Sequence, residues 1–348
     1  MDVGLTAIFQ LIAVDPSLAV ILVLVLCVTA VSGATDAPNA VAAAVSTRSI
    51  KPMTALVLAS IFDCIGLILF SFISTAVAHT MFAMVDFSGD TVEALHALVA
   101  AMVGAIIWGV FCWWRGIPIS KSHALIAGIT GGAIAMNGLA GVVAREWVKV
   151  LLGMGFSLVA GFGLGWAFVK IVKRALLHSR RRTATRICIV LQDVLACMTA
   201  FLHGAQDGQK FMSIAMMGIM LSLGVNDYES QGFPVWLMIA CSLALAAGLF
   251  LGGKRIIKSV GMNMVKLERF QGVAASASTI TTLFISSMTG MPVSTSHCST
   301  SAIMGVGAEK SVRRVNWDLA KSMVFAWVIT FPACGVIGFV LAKLFIMI

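Results

Sequence analysis

Two short strings hold most of the groups with chemistry to offer. Gly-Ile-Pro-Ile-Ser-Lys-Ser-His runs from Gly116 to His123, and Gly-Met-Pro-Val-Ser-Thr-Ser-His from Gly290 to His297, the second inside a run with no Asp, Glu, Lys or Arg from Phe270 to Ala308. Each string reads as a chain break followed by a helix start, because Pro fixes φ and needs no N–H in a first helical turn, and Ser is a good N-cap. A helix N-terminus presents free N–H groups and the positive end of the dipole. With the hydroxyls of Ser120, Ser122, Ser294, Thr295 and Ser296 it makes a donor-rich cradle for an anion. One dipole end contributes only ~0.3 to 2 kcal/mol, so two facing ends plus hydroxyls are needed to rival water. The plainer alternative is that these Ser and Thr bond to carbonyls of their own packed helices.

A second pair has the opposite sign. Asp36 closes Gly-Ala-Thr-Asp and Asp207 closes Gly-Ala-Gln-Asp. At membrane depth an unpaired carboxylate costs ~2.5 to 3.5 kcal/mol, so it requires a cation, a proton or a donor. A coupling cation meets that need, and Asn39 is a further ligand. Gly33, Pro38, Gly204 and Gly208 are expected to break the helices around both acids and free carbonyls for coordination. The alternative is an Asp that caps a helix at the interface. Lys210 and Lys121 stand beside the motifs, where each can pair with an Asp, touch the anion or snorkel to the surface. His123 and His297 can relay protons or bond a backbone carbonyl.

The elements that must position these groups follow from composition. The chain has 348 residues, 59% apolar and 11% charged, with mean hydropathy +1.00, far outside the soluble range. Uncharged runs long enough for a ~30 Å bilayer occur at Pro16–Thr35, Ala94–Trp114, Ser122–Ala144, Val150–Val169, Ser230–Gly253 and Ser322–Ala342. Others are interrupted by Asp63 or Asp193, which brings the expected total to about ten spans. Met1–Gln10 lacks the basic flank of a cleavable signal, so the first apolar segment is expected to stay. The eight scattered Cys have no ligand spacing and read as packing residues, with no metal site and no disulfide framework.

The net charge of +9 belongs to loops of a membrane protein rather than to a nucleic-acid surface. Seven Lys or Arg and no acid lie between Lys170 and Arg186, which predicts a cytoplasmic loop 170–186. Acidic loops at Asp86, Asp90 and Glu93 and at Asp227 and Glu229 are expected outside, and the basic stretch Lys254–Arg269 inside.

Three motifs recur in one order: the two Asp motifs, the two Pro-Ser strings, and the Trp of Arg-Glu-Trp-Val-Lys (Trp147) against that of Arg-Val-Asn-Trp-Asp (Trp317), all about 170 residues apart. The acidic loop at 86–93 matches the basic stretch at 254–266, so equivalent loops are expected on opposite faces. That is an inverted-topology repeat, the architecture of secondary transporters with a midplane site. The expectation is an all-α integral membrane protein of about ten transmembrane helices, with two re-entrant or broken-helix hairpins. The first repeat is residues 1–172, a basic linker 173–186, and the second repeat 187–348.

At this point the residues resemble the inorganic phosphate transporter (PiT) family, its bacterial low-affinity permeases in particular. Gly-Ala-Thr-Asp-Ala-Pro-Asn-Ala (33–40) is similar to that family's first signature. Leu-His-Gly-Ala-Gln-Asp-Gly-Gln-Lys (202–210) is similar to its second, in a form associated with proton-coupled members, and both Pro-Ser strings complete the set over about residues 20–342. The resemblance implies a phosphate:cation symporter of the cell membrane, not an enzyme, with no cofactor beyond coupling H+ or Na+. It places Asp36, Asn39, Asp207, Ser120, Ser122, Ser294, Thr295 and Ser296 on signature positions. Three departures bear on the coupling ion: Lys121 where a hydroxyl is usual, Ser276 where many members have Glu, and Asp63 in place of Glu or Asn, still able to hold a proton or ion. Expected partners are inorganic phosphate, H+ or Na+ and the lipid bilayer, with a homodimer as the candidate assembly and no nucleic acid.

The competing reading within the same fold is a sulfate permease. Phosphate carries a proton near neutral pH that a buried Asp can accept, and sulfate does not. A channel would need a continuous pore, and a Ser one or two residues from His on one helix has no triad geometry.

Overall fold

Pro residues punctuate the first part of the chain. In the computed structural model, which describes residues 4–115, 119–225, 232–256 and 265–347, α1 (Leu5–Val14) ends at Asp15, whose side chain accepts from Ser17 N–H at 2.8 Å and starts α2 (Pro16–Thr35) with Pro at its first position. Asp36 closes α2, and Pro38, lacking an N–H, starts α3 (Pro38–Ser46) after a two-residue turn. The helices α4 (Pro52–Ile73), α5 (Ala76–Ala83), α6 (Thr91–Arg115), α7 (Lys121–Asn137) and α8 (Ala144–Ala175) complete the first part. The second part holds α9 (Arg181–Leu223), α10 (Val235–Ile256), α11 (Arg269–Met288), α12 (Thr295–Lys310) and α13 (Trp317–Ile346).

Helices pack in pairs, and each pair has a counterpart. α2 lies on α10 as α4 lies on α9, α7 on α13 as α12 on α8, and α6 on α13 as α11 on α8. The expected linker 173–186 is mostly helical, since α8 carries Lys173 and Arg174 and α9 begins at Arg181. Gly116, Ile117 and Pro118 of the first Pro-Ser string, the acidic residues Asp227 and Glu229, Ser230, and the stretch 257–264 with the side chains of 254–256 lie outside the described residues.

One expectation is corrected here. Gly204 and Gly208 do not break a helix: α9 runs unbroken for 43 residues through both. Gln209 keeps the N–H that Pro38 lacks at the matching place in the first copy, so the i→i−4 ladder continues. The glycines serve close approach instead. A Cβ on Gly204 would overlap the carbonyl oxygen of Asp63, and one on Gly66 that of Phe201, so α4 and α9 touch backbone to backbone.

Eight helical stretches among the described residues are long and apolar enough to cross a membrane, against the expected total of about ten. α12 has only 16 residues, and α11, with 20, is rich in Ser and Thr; neither qualifies. Large apolar side chains face outward, among them Leu251 at 83%, Val159 at 75% and Phe325 at 69% exposure, a distribution suited to lipid rather than water. The interior is a core of Leu18, Ile21, Leu95, Leu98 and Met212 around a polar centre.

Candidate functional site

Most buried hydroxyls in this protein follow the plain alternative. Thr29, Thr130 and Thr199 each donate to the carbonyl four residues back, at 2.7, 2.8 and 2.7 Å. Ser296 and Ser122 do not, and that difference marks the centre.

The first cluster gathers around Asp36. Ser296 Oγ donates to its Oδ1 at 2.6 Å, the backbone N–H of Lys121 to its Oδ2 at 3.0 Å, and Asn39 Nδ2 donates to Ser296 Oγ at 2.7 Å. The α2–α3 break turns the Asp36 side chain toward the tips of α7 and α12. Among the described residues no side-chain cation forms an ion pair with Asp36, whose partners are a hydroxyl and an amide.

The second cluster gathers around Asp207 on α9. Lys210 Nζ donates to Asp207 Oδ1 at 2.8 Å, to Ser122 Oγ at 2.7 Å and to the carbonyl of Val293. The i, i+3 spacing puts Asp207 and Lys210 on one helix face. Ser32 Oγ donates weakly to Asp207 Oδ2 at 3.4 Å, and His203 Nε2 lies 3.3 Å from the same oxygen. The other ring nitrogen, Nδ1, meets Asp63 Oδ1 at 3.0 Å. Asp63, His203, Asp207 and Lys210, each about 1% exposed or less, thus form one unbroken row of charged or titratable groups.

The two clusters are the same arrangement in two versions. Asn39 follows Asp36 by three residues, and Lys210 follows Asp207 by three. Each reaches a hydroxyl of the other half's Pro-Ser string at 2.7 Å. An ammonium stands in the second where a neutral amide stands in the first.

Ser120 and Ser294 are N-caps, accepting from His123 N–H at 3.3 Å and His297 N–H at 3.4 Å. The Thr295 hydroxyl and the Lys121 ammonium are buried without a hydrogen-bond partner among the described residues. Lys121 neither snorkels nor pairs with Asp36: its side chain is 1% exposed and its ammonium lies against Gly109 on α6, where any side chain would overlap it. His123 and His297 meet edge to face, ring centres 4.5 Å apart, and each lies against an aromatic ring of α13, Phe331 and Trp327. Ser276 accepts from Gln192 Nε2 at 2.8 Å, away from either cluster's acid.

His203 was not among the residues expected from the sequence. Its signal was present, since His203 and Asp207 are an i, i+4 pair on one helix face. Asp63 comes from a helix more than a hundred residues away in the chain, and nothing in the local pattern pairs it with His203.

Membrane-length helices enclosing paired clusters of acids, hydroxyls and cations define a membrane transporter of small ions rather than an enzyme. Comparison with known proteins makes this specific. The model of the phosphate transporter family matches residues 32–338, and the chain belongs to that family. A probable low-affinity inorganic phosphate transporter of Bacillus subtilis is 33% identical over 330 residues, covering 93% of this chain and 96% of the relative. One of Rhizobium meliloti is 36% identical, with 88% and 90% covered. A solved structure described as the sodium-dependent phosphate transporter superposes with a TM-score of 0.85 at 20% identity, over 96% of this chain and 100% of that one, which establishes a shared fold. All of these are phosphate proteins, and the sulfate reading is set aside.

Proposed function

We propose that this protein is a phosphate:proton symporter of the cell membrane, working by alternating access between two inverted halves, 1–172 and 187–348, joined by a cytoplasmic basic linker. One observation carries the choice of proton: the ammonium of Lys210 sits among a carboxylate, a hydroxyl and a carbonyl, the oxygen set a small cation would take. Asp207 therefore carries a built-in cation, with His203 as a second partner. Asp36, which has donors but no ion pair among the described residues, is the acid free to exchange a proton with the cycle. Asp63 and His203 hold Asp207 from behind, and Asn39 orients Ser296.

Phosphate is received between the tips of α7 and α12. Their N-termini, capped by Ser120 and Ser294, point into the centre, and Thr295 and Lys121 supply donors with no other partner. Ser122 and Ser296, held by Lys210 and Asp36, connect the anion to the two acids. The matching pairs of packed helices support two equivalent halves able to rock about this centre.

The test is labelled phosphate uptake into proteoliposomes under an imposed proton gradient and, separately, a sodium gradient, with excess sulfate as competitor. Wild type is expected to respond to the proton gradient alone and to ignore sulfate. Lys210→Asn recreates the first cluster in the second, leaves Asp207 without its cation, and is expected to make uptake depend on sodium. Sodium-driven uptake by wild type, or proton-driven uptake by Lys210→Asn that sodium leaves unchanged, overturns the assignment.

A further inference from the structure

A cavity of about 460 Å3, lined by none of the central clusters' residues, lies where the end of α8, the start of α9, the end of α3 and the start of α11 come together. Three cationic side chains line it, Lys173, Arg181 and Arg269, with the hydroxyl residue Thr47 and an apolar wall that includes Leu176 and Phe270. Its one carboxylate, Glu268, is already engaged: it accepts the N3 N–H in the capping box of α11 and lies 3.5 Å from Lys310. Lys173 leans toward Glu309 at 3.8 Å. Arg181 and Arg269 make no ion pair among the described residues, so the cavity keeps an excess of positive charge.

Its depth is marked by neighbouring residues. The Lys170 ammonium lies 3.1 Å from the centre of the half-exposed Trp166 ring, an arrangement suited to the membrane–water boundary. On α9, Arg182 and Arg186 give way within a turn to outward-facing Ile187, Val190 and Leu191. The cationic rim of the cavity therefore stands at head-group level and its apolar wall continues toward the acyl chains.

We propose that this cavity binds a phosphate group, that of an anionic phospholipid, gripped by Arg181 and Arg269. Guanidinium groups match phosphate oxygens with paired N–H donors, and the apolar wall takes the first methylenes of an acyl chain. Because α3 and α8 come from one half and α9 and α11 from the other, the bound lipid ties both halves together at this face. The same phosphate chemistry could be met from water by inorganic phosphate, since α3 runs from Asn39 at the centre to Thr47 at the cavity.

The experiment is thermal unfolding of the full chain in detergent, with added phosphatidylglycerol, phosphatidylcholine or inorganic phosphate, beside native mass spectrometry to count retained lipid. Phosphatidylglycerol is expected to raise the midpoint by roughly 4 °C, with one lipid retained, and phosphatidylcholine to do far less. Arg181→Gln/Arg269→Gln should lose that shift. Arg313→Gln/Arg314→Gln, which removes equal charge outside the cavity, should keep it. A phosphatidylglycerol shift that survives the first pair, or falls equally with the second, overturns the site. A shift given by inorganic phosphate alone and lost in the first pair overturns the lipid as its source. None of these readouts uses transport, so the outcome is independent of the proposed coupling.

Discussion

Asp36 and Asp207 occupy matching places yet keep different company, and single substitutions should expose the difference. Asp36 is held by a hydroxyl and an amide, both of which an Asn side chain can also meet. Asp36→Asn is expected to fold and insert normally but to lose concentrative uptake, with phosphate exchange across the membrane retained; paired uptake and counterflow assays check this. Asp207→Asn strands a buried ammonium and the His203 ring, and removing one partner of a buried pair costs ~3 to 5 kcal/mol. Its thermal midpoint in detergent should fall sharply, and a midpoint equal to wild type would remove the built-in pair from the account. Lys121 poses the reverse case. An orphaned, buried ammonium is costly, so Lys121→Met should stabilise the protein by ~1 to 3 kcal/mol while raising the KM for phosphate. Unchanged KM would take Lys121 out of the anion site.

At the level of helices, the decisive contact is the approach of α4 to α9. Gly66 and Gly204 let the two backbones meet, and only then does Asp63 reach His203 at 3.0 Å. Gly204→Val places a branched side chain against the Asp63 carbonyl. It should lower both stability and uptake, whereas Gly155→Val, at a glycine with open space around it, should leave both near wild type. Thermal midpoints and initial uptake rates of the two variants decide it. Helix starts at Pro16, Pro38 and Pro52 and the caps at Ser120 and Ser294 were readable locally, because each depends on residues within a turn of itself. The unbroken course of α9 was hidden by its resemblance to the first copy. A glycine, an alanine and an acid match in type, and one Gln in place of Pro decides whether the helix breaks.

Over the whole molecule, loop charge sets the proposed orientation, with the 170–186 linker in the cytoplasm and the 86–93 loop outside. His178→Cys and Ser88→Cys, both at exposed positions, should therefore be labelled by a membrane-impermeant maleimide from opposite faces of oriented vesicles, against a background in which the eight native cysteines are replaced. Labelling of both from one face would overturn the proposed orientation. The same arrangement places the basic cavity and its proposed lipid on the linker face.

The amino-acid sequence by itself determined the apolar surroundings, several helix starts and the types of residue at the centre, since hydropathy, Pro, caps and recurring motifs are local or periodic properties of the chain. It also carried the likeness to phosphate transporters. Tertiary structure decided the partnerships: that Asn39 and Lys210 play one part in two versions, that His203 bridges Asp63 and Asp207, and that the Lys121 ammonium has no hydrogen bond among the described residues. Those depend on which helices pack and how closely, a balance of glycine contacts and buried charge spread over residues far apart in the chain, which no single stretch records.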